Sequence, residues 1–187
     1  MPGTIRHIQL VAKEDVQEIP EDGNLAAAAR QGNHLAFSRL YDRYARMVHG
    51  ILLARVPRCE VDDLVQDVFL AAWRRLPSLR ETNAFGGWLC MIARNRATDY
   101  HRTAPAITTL EDATLQQNPP PPEALAVLDT IQQLPEAYRE TLILRLVEGM
   151  TAQEISDRVG ITSESVRVNL HRGMKILRER LEPEVRA

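Results

Sequence analysis

The chain has 187 residues, 44% hydrophobic and 26% charged, with a net charge of −2; this is the composition of a globular protein of one ordinary or two small domains, not of a disordered chain. No apolar run approaches the roughly 20 residues that span a bilayer, and residues 1–23 carry Lys13, Glu14, Asp15, Glu18, Glu21 and Asp22 without a secretory signal's apolar segment, so no membrane insertion and a cytoplasmic location are expected. Cys59 and Cys90 have no CxxC or His-rich neighbour, which argues against a zinc site or a disulfide framework.

Residues 1–23 show no sustained periodicity and read as a flexible extension. Asn24 offers an N-cap to a short helix over 25–30, and Gln31-Gly32-Asn33 breaks it. Phe37, Leu40, Tyr41, Tyr44, Val48, Ile51 and Leu52 then recur on one helical face, which Pro57 ends. A further helix carries Val61, Leu64, Val65, Val68, Phe69, Ala72, Trp73 and Leu76 up to Pro77. The next carries Phe85, Trp88, Leu89, Ile92, Ala93, Ala97 and Tyr100. These helices can bury one another's apolar faces as a domain over 24–102.

Residues 103–122, with the run Asn118-Pro119-Pro120-Pro121-Pro122, read as an extended linker; at roughly 3.1 Å per residue it would reach about 60 Å. Periodicity returns over 123–187. Leu125, Leu128, Ile131 and Leu134 form one helix, and Pro135 opens another carrying Tyr138, Leu142, Leu146 and Val147, which Gly149 stops. Thr151 and Glu154 form a capping box for a short helix. Gly160 then supplies a turn, and Thr162 or Ser163 caps a last helix with Val166, Leu170, Met174, Leu177 and Leu181 inward. No strand-like alternation competes. The fold class is therefore all-α: two small helical domains joined by a flexible Pro-rich linker, the second containing a helix-turn-helix.

Charge is unevenly distributed. Arg74, Arg75, Arg80, Arg94, Arg96 and Arg102 make one basic stripe, and Arg167, Arg172, Lys175, Arg178 and Arg180 make another, while Glu60, Asp62, Asp63 and Asp67 cluster with the opposite sign. Two basic stripes and one acidic patch suggest two polyanion contacts and one basic protein partner. The outer face of the last helix presents Glu164, Val168, His171, Arg172 and Lys175, with Arg167 beside them: cations for phosphates, a branched apolar group for a thymine methyl and an acceptor for a cytosine amino group. The preceding stripe places Arg94, Asn95, Arg96 and Arg102 away from the apolar face, and the loop over 77–84 adds Arg80 and Asn83. No catalytic residues and no cofactor are expected; Asp99 and His101 are helix neighbours pointing about 100° apart, poorly placed for acid–base work.

Four motifs, in order, resemble those of bacterial RNA polymerase sigma factors of the extracytoplasmic-function family. Residues 62–73, opening Asp62-Asp63-Leu64-Val65-Gln66-Asp67, resemble the segment that grips core polymerase; residues 85–102 resemble the helix that recognises and opens the promoter −10 element. Residues 134–142 with 148–155, and then 160–173, resemble the start and the recognition helix of the domain that reads the −35 element. The resemblance implies core RNA polymerase (β′ and β subunits) and promoter DNA as partners. It assigns Asp62, Asp63, Leu64, Gln66, Asp67 and Phe69 to core binding. Arg80, Asn83, Arg94, Asn95 and Arg102 go to the −10 strand, and Arg167, Val168, His171, Arg172 and Lys175 to the −35 groove. It also implies an anti-sigma factor that clamps both domains and hides their faces. A stand-alone helix-turn-helix regulator is the alternative; it calls for a palindromic operator.

Overall fold

The computed structural model describes residues 22–103 and 121–181, and among them every regular element is helical. The sequence expectations for the extension and for most of the linker lie outside these residues. The helices are α1 (Asp22–Arg30), α2 (His34–Leu53), α3 (Arg58–Arg75), α4 (Phe85–Thr103), α5 (Pro122–Gln132), α6 (Glu136–Leu146), α7 (Ala152–Val159) and α8 (Ser163–Leu181). Single 3₁₀ turns at Leu76–Ser78 and Thr82–Ala84 link α3 to α4.

Local chemistry sets most boundaries. The Asn33 side chain accepts the Ala36 N–H at 3.0 Å and starts α2. The Thr151 hydroxyl accepts from Glu154 N–H while the Glu154 carboxylate accepts from Thr151 N–H at 2.7 Å, the full reciprocal cap of α7. Gly160 ends α7 with φ +77°, a left-handed value that other residues resist, and the Thr162 hydroxyl accepts from Ser165 N–H to start α8. The first helix begins at Asp22, two residues before the expected cap at Asn24: Asp22 accepts from the Tyr44 hydroxyl at 2.5 Å and pairs with Arg43, so the first turn is tied to α2.

α2 is the hub. α1, α3 and α4 pack around it, and Leu40, Met47, Ile51, Leu52, Phe85 and Leu89 are fully buried among them. α5, α6, α7 and α8 form a second group around Leu142, Ile143, Ile155 and Val166, with α6 crossing α8 where Gly173 lies against Leu142 and Tyr138. Leu146 and Val147, expected inward, are about half exposed because α6 ends there and the chain turns away. The two groups are not held apart. α6 and α7 pack on α2 and α4, and the buried residues of both form one continuous core.

Candidate nucleic-acid and protein interfaces

The acidic cluster sits on α3. Asp62, Asp63 and Gln66 are exposed, and Asp62 and Gln66 line a shallow groove with Tyr41, His49 and Glu148. Two of the residues assigned to this face do not reach the surface: Leu64 is 9% and Phe69 4% exposed. Helical periodicity turns both toward α2, where the Phe69 ring meets Tyr41 at 4.5 Å and Phe37 at 6.3 Å. They hold the face from beneath. Asp67 is half-buried and paired with Arg96 of α4 at 2.5 Å, so its charge is already compensated within the chain.

The residues assigned to the −10 strand do not form one open surface. Arg80, Asn83, Asn95 and Arg102 are exposed, Arg102 holding Asp99 at 2.9 Å. Arg94 is different. It lies between the two helical groups, where its guanidinium donates to both oxygens of Glu140 on α6, at 2.6 and 3.3 Å. Arg55, at the end of α2, donates to the same carboxylate at 2.7 Å and also pairs with Glu136. Glu140 is only 7% exposed. Burial alone would raise its pKa, but the hydrogen bonds and charges of Arg94 and Arg55 outweigh burial and hold it below the ordinary carboxylate value.

Other interactions extend this seam. His49 Nδ1 lies 2.6 Å from a Glu148 oxygen, and that hydrogen bond, against the opposing effect of burial, raises the imidazole pKa above its usual value. The Gln132 amide donates to the Leu53 carbonyl at 3.2 Å. The buried Cys90 thiol lies 3.5 Å from Met47 Sδ and 3.7 Å from the Arg158 carbonyl, and burial pushes its pKa up to about 12. Two glycines permit the close approach: a Cβ on Gly50 would stand 2.7 Å from Leu144 Cδ2, and one on Gly86 2.7 Å from the Arg158 carbonyl oxygen. Arg55, Glu140, Gly50 and Gly86 carry no signal of this role in the sequence, because their partners lie far along the chain (46 and 85 positions for the Glu140 bonds).

α8 presents its assigned residues together. Arg167, Val168, His171, Arg172 and Lys175 are exposed along one side, while Val166, Gly173 and Leu177 are buried on the other. Among the described residues Arg167 and Arg172 pair with no carboxylate, and Lys175 reaches Glu179 only at 4.0 Å. Val168, 38% exposed, stands between these cations. Helix, left-handed glycine turn and helix with a polar outer face together have the geometry that enters a major groove. No helix among the described residues is long and apolar enough to cross a membrane.

Comparison with known proteins places family matches on both groups. A model of sigma-70 region 2 matches residues 40–105 and one of sigma-70 region 4 matches residues 124–177. The RNA polymerase sigma factor CarQ of Myxococcus xanthus is 34% identical, covering 81% of this chain and 92% of that one. The ECF RNA polymerase sigma-E factor of Haemophilus influenzae is 29% identical over 87% of this chain and 96% of its own. In structure the chain is similar to CnrH, solved in complex with the cytosolic domain of CnrY, with a TM-score of 0.62 and 28% identity, covering 88% of this chain and 99% of that one.

Proposed function

The chain belongs to the extracytoplasmic-function family of RNA polymerase sigma factors, promoter-specific initiation factors, and we propose that it divides that work between separate faces. Asp62, Asp63 and Gln66 on α3 dock on a basic surface of core polymerase, with Leu64 and Phe69 fixing the helix beneath them. The opposite charges steer and orient the encounter more than they add affinity. The outer side of α8 reads the −35 element: Arg167, Arg172 and Lys175 meet phosphates or guanine edges, and Val168 meets a thymine methyl. Arg80, Asn83, Arg94, Asn95 and Arg102 hold the −10 non-template strand, where contacts to an unstacked base offset the few kcal/mol that unpairing costs. Region 24–102 thus serves core and −10 binding, 123–187 serves −35 binding, and the chemistry of RNA synthesis stays with the polymerase. The observation that carries this reading is the basic, exposed side of α8 on a helix-turn-helix frame, where Arg167 and Arg172 have no carboxylate partner among the described residues.

The test is capture of the full chain by purified core RNA polymerase. Asp63→Arg is the informative substitution, since Asp63 is exposed, whereas changing Asp67 would also break its pair with Arg96. Capture of the wild type, with at least about a tenfold loss in Asp63→Arg, supports the assignment. If the wild type is not captured, the chain acts without core polymerase and the stand-alone regulator gains.

A further inference from the structure

The seam between the helical groups engages a residue that the DNA-binding reading needs. Arg94 gives its fork to a carboxylate, and a carboxylate and a phosphate present the same paired anionic oxygens to a guanidinium. Glu140 occupies that fork at 2.6 and 3.3 Å while Arg55 neutralises it from the other side. The site is not an incidental surface pair. Glu140 is buried, and the backbone approach around it depends on Gly50 and Gly86 having no side chain. The same closure sets Glu148 against His49 and the Gln132 amide against the Leu53 carbonyl.

We propose that the closed arrangement is self-inhibiting: Glu140 is an internal stand-in for a DNA phosphate, and the chain engages the melted strand through Arg94 only after α6 leaves α2 and α4. This rests on the assignment of Arg94 to the −10 strand. DNA and Glu140 compete for one guanidinium, so the apparent affinity for single-stranded DNA falls in proportion to the fraction of molecules that are open. The inhibition needs no second protein. A partner that holds the factor inactive has only to favour a state the chain already forms, with differential contacts to closed over open. The acidic side of α3 stays exposed in this state, so closure acts on DNA engagement more directly than on the first encounter with polymerase.

The experiment measures binding of a fluorescent mixed-sequence single-stranded DNA to the full chain at low salt, alongside small-angle scattering. Glu140→Gln keeps the shape of the side chain and removes its charge; it should raise affinity severalfold and enlarge the radius of gyration, and adding Arg94→Ala should abolish the gain. The second variant wedges the seam. A Cβ at Gly50 would stand 2.7 Å from Leu144 Cδ2 and 2.9 Å from Glu148 Cγ, so Gly50→Ala should push α6 off α2 without changing any charge. It should raise the DNA affinity severalfold when Arg94 is present and not in an Arg94→Ala background. No gain in either variant, or a gain that survives loss of Arg94, overturns the proposal. Failure of core polymerase to capture the wild type overturns the sigma reading instead, and the two failures are therefore distinguishable.

Discussion

α4 and α8 each carry a basic stripe, yet the two stand in opposite electrostatic situations. On α4, Arg94 is paired with Glu140, Arg96 with Asp67 and Arg102 with Asp99. On α8, Arg167 and Arg172 face solvent with no carboxylate partner among the described residues, and Lys175 has a distant one. A paired, partly buried guanidinium exerts little field beyond its partner, whereas an exposed cation attracts phosphates out to about 8–10 Å at ordinary ionic strength. On the proposed reading, α8 meets DNA first. Arg94 of α4 exchanges one anion for another, a slower and more selective step because Glu140 must first be displaced.

The largest expected effect comes from removing that anion altogether. Glu140→Ala leaves the Arg55 guanidinium, 14% exposed, without its principal partner and Arg94 without any at the seam. Breaking a buried pair by deleting one member costs about 3–5 kcal/mol. Glu136 still holds Arg55, which points to the lower end: about 3 kcal/mol, a fall in Tm of roughly 6–12 °C for a chain of this size. Calorimetry on Arg172→Ala should show no comparable loss, within about 0.5 kcal/mol. Equal losses at the two sites would erase the contrast between the stripes.

A smaller effect sharpens the comparison through pH. The hydrogen bond from Glu148 raises the His49 pKa, burial opposes it, and the nearby Asp62 charge adds to the rise; Arg46, 3.9 Å from Glu148, also faces the pair. The imidazolium strengthens the seam, so its contribution is complete below the unperturbed histidine value of about 6.5. It is lost as pH rises through the raised value in the closed chain. The radius of gyration should therefore grow as pH rises above about 6.5, where few other side chains titrate. His49→Gln should flatten that dependence, and a wild type whose dimensions ignore pH in this window would remove His49 from the closing mechanism.

How much of this was legible in the sequence follows from the range of each interaction. The Asn33 break, the Thr151–Glu154 cap, the Gly160 turn and the inward Val166 and Leu177 are local patterns, written within a few positions, and they appear in the structure as expected. Leu64 and Phe69 are misplaced by the motif for a related reason: a motif names a segment, but a helix sends alternate parts of that segment inward, and these two follow the apolar stripe into the core. The start at Asp22 depends on Tyr44 and Arg43 of another helix. The seam leaves no local trace at all. Its carboxylates and arginines look like ordinary solvated helix charges until the fold brings together residues 46 to 99 positions apart.

The smallest energetic effect is also the cleanest separation of the stripes. Each phosphate that a protein ceases to neutralise on a duplex lowers the slope of log affinity against log salt by about 0.9. Arg167→Ala with Arg172→Ala removes two exposed cations that have no carboxylate partner among the described residues, so the slope for a mixed-sequence duplex should fall by about 1.8, with stability unchanged within about 0.5 kcal/mol. Arg94→Ala should leave that slope as it is, because in the closed chain its guanidinium neutralises Glu140 and no phosphate. In a Glu140→Gln background the same substitution should begin to count. A slope that drops with Arg94→Ala in the otherwise wild-type chain would mean that α4 meets DNA as freely as α8, and the order of engagement argued from their pairing would not hold.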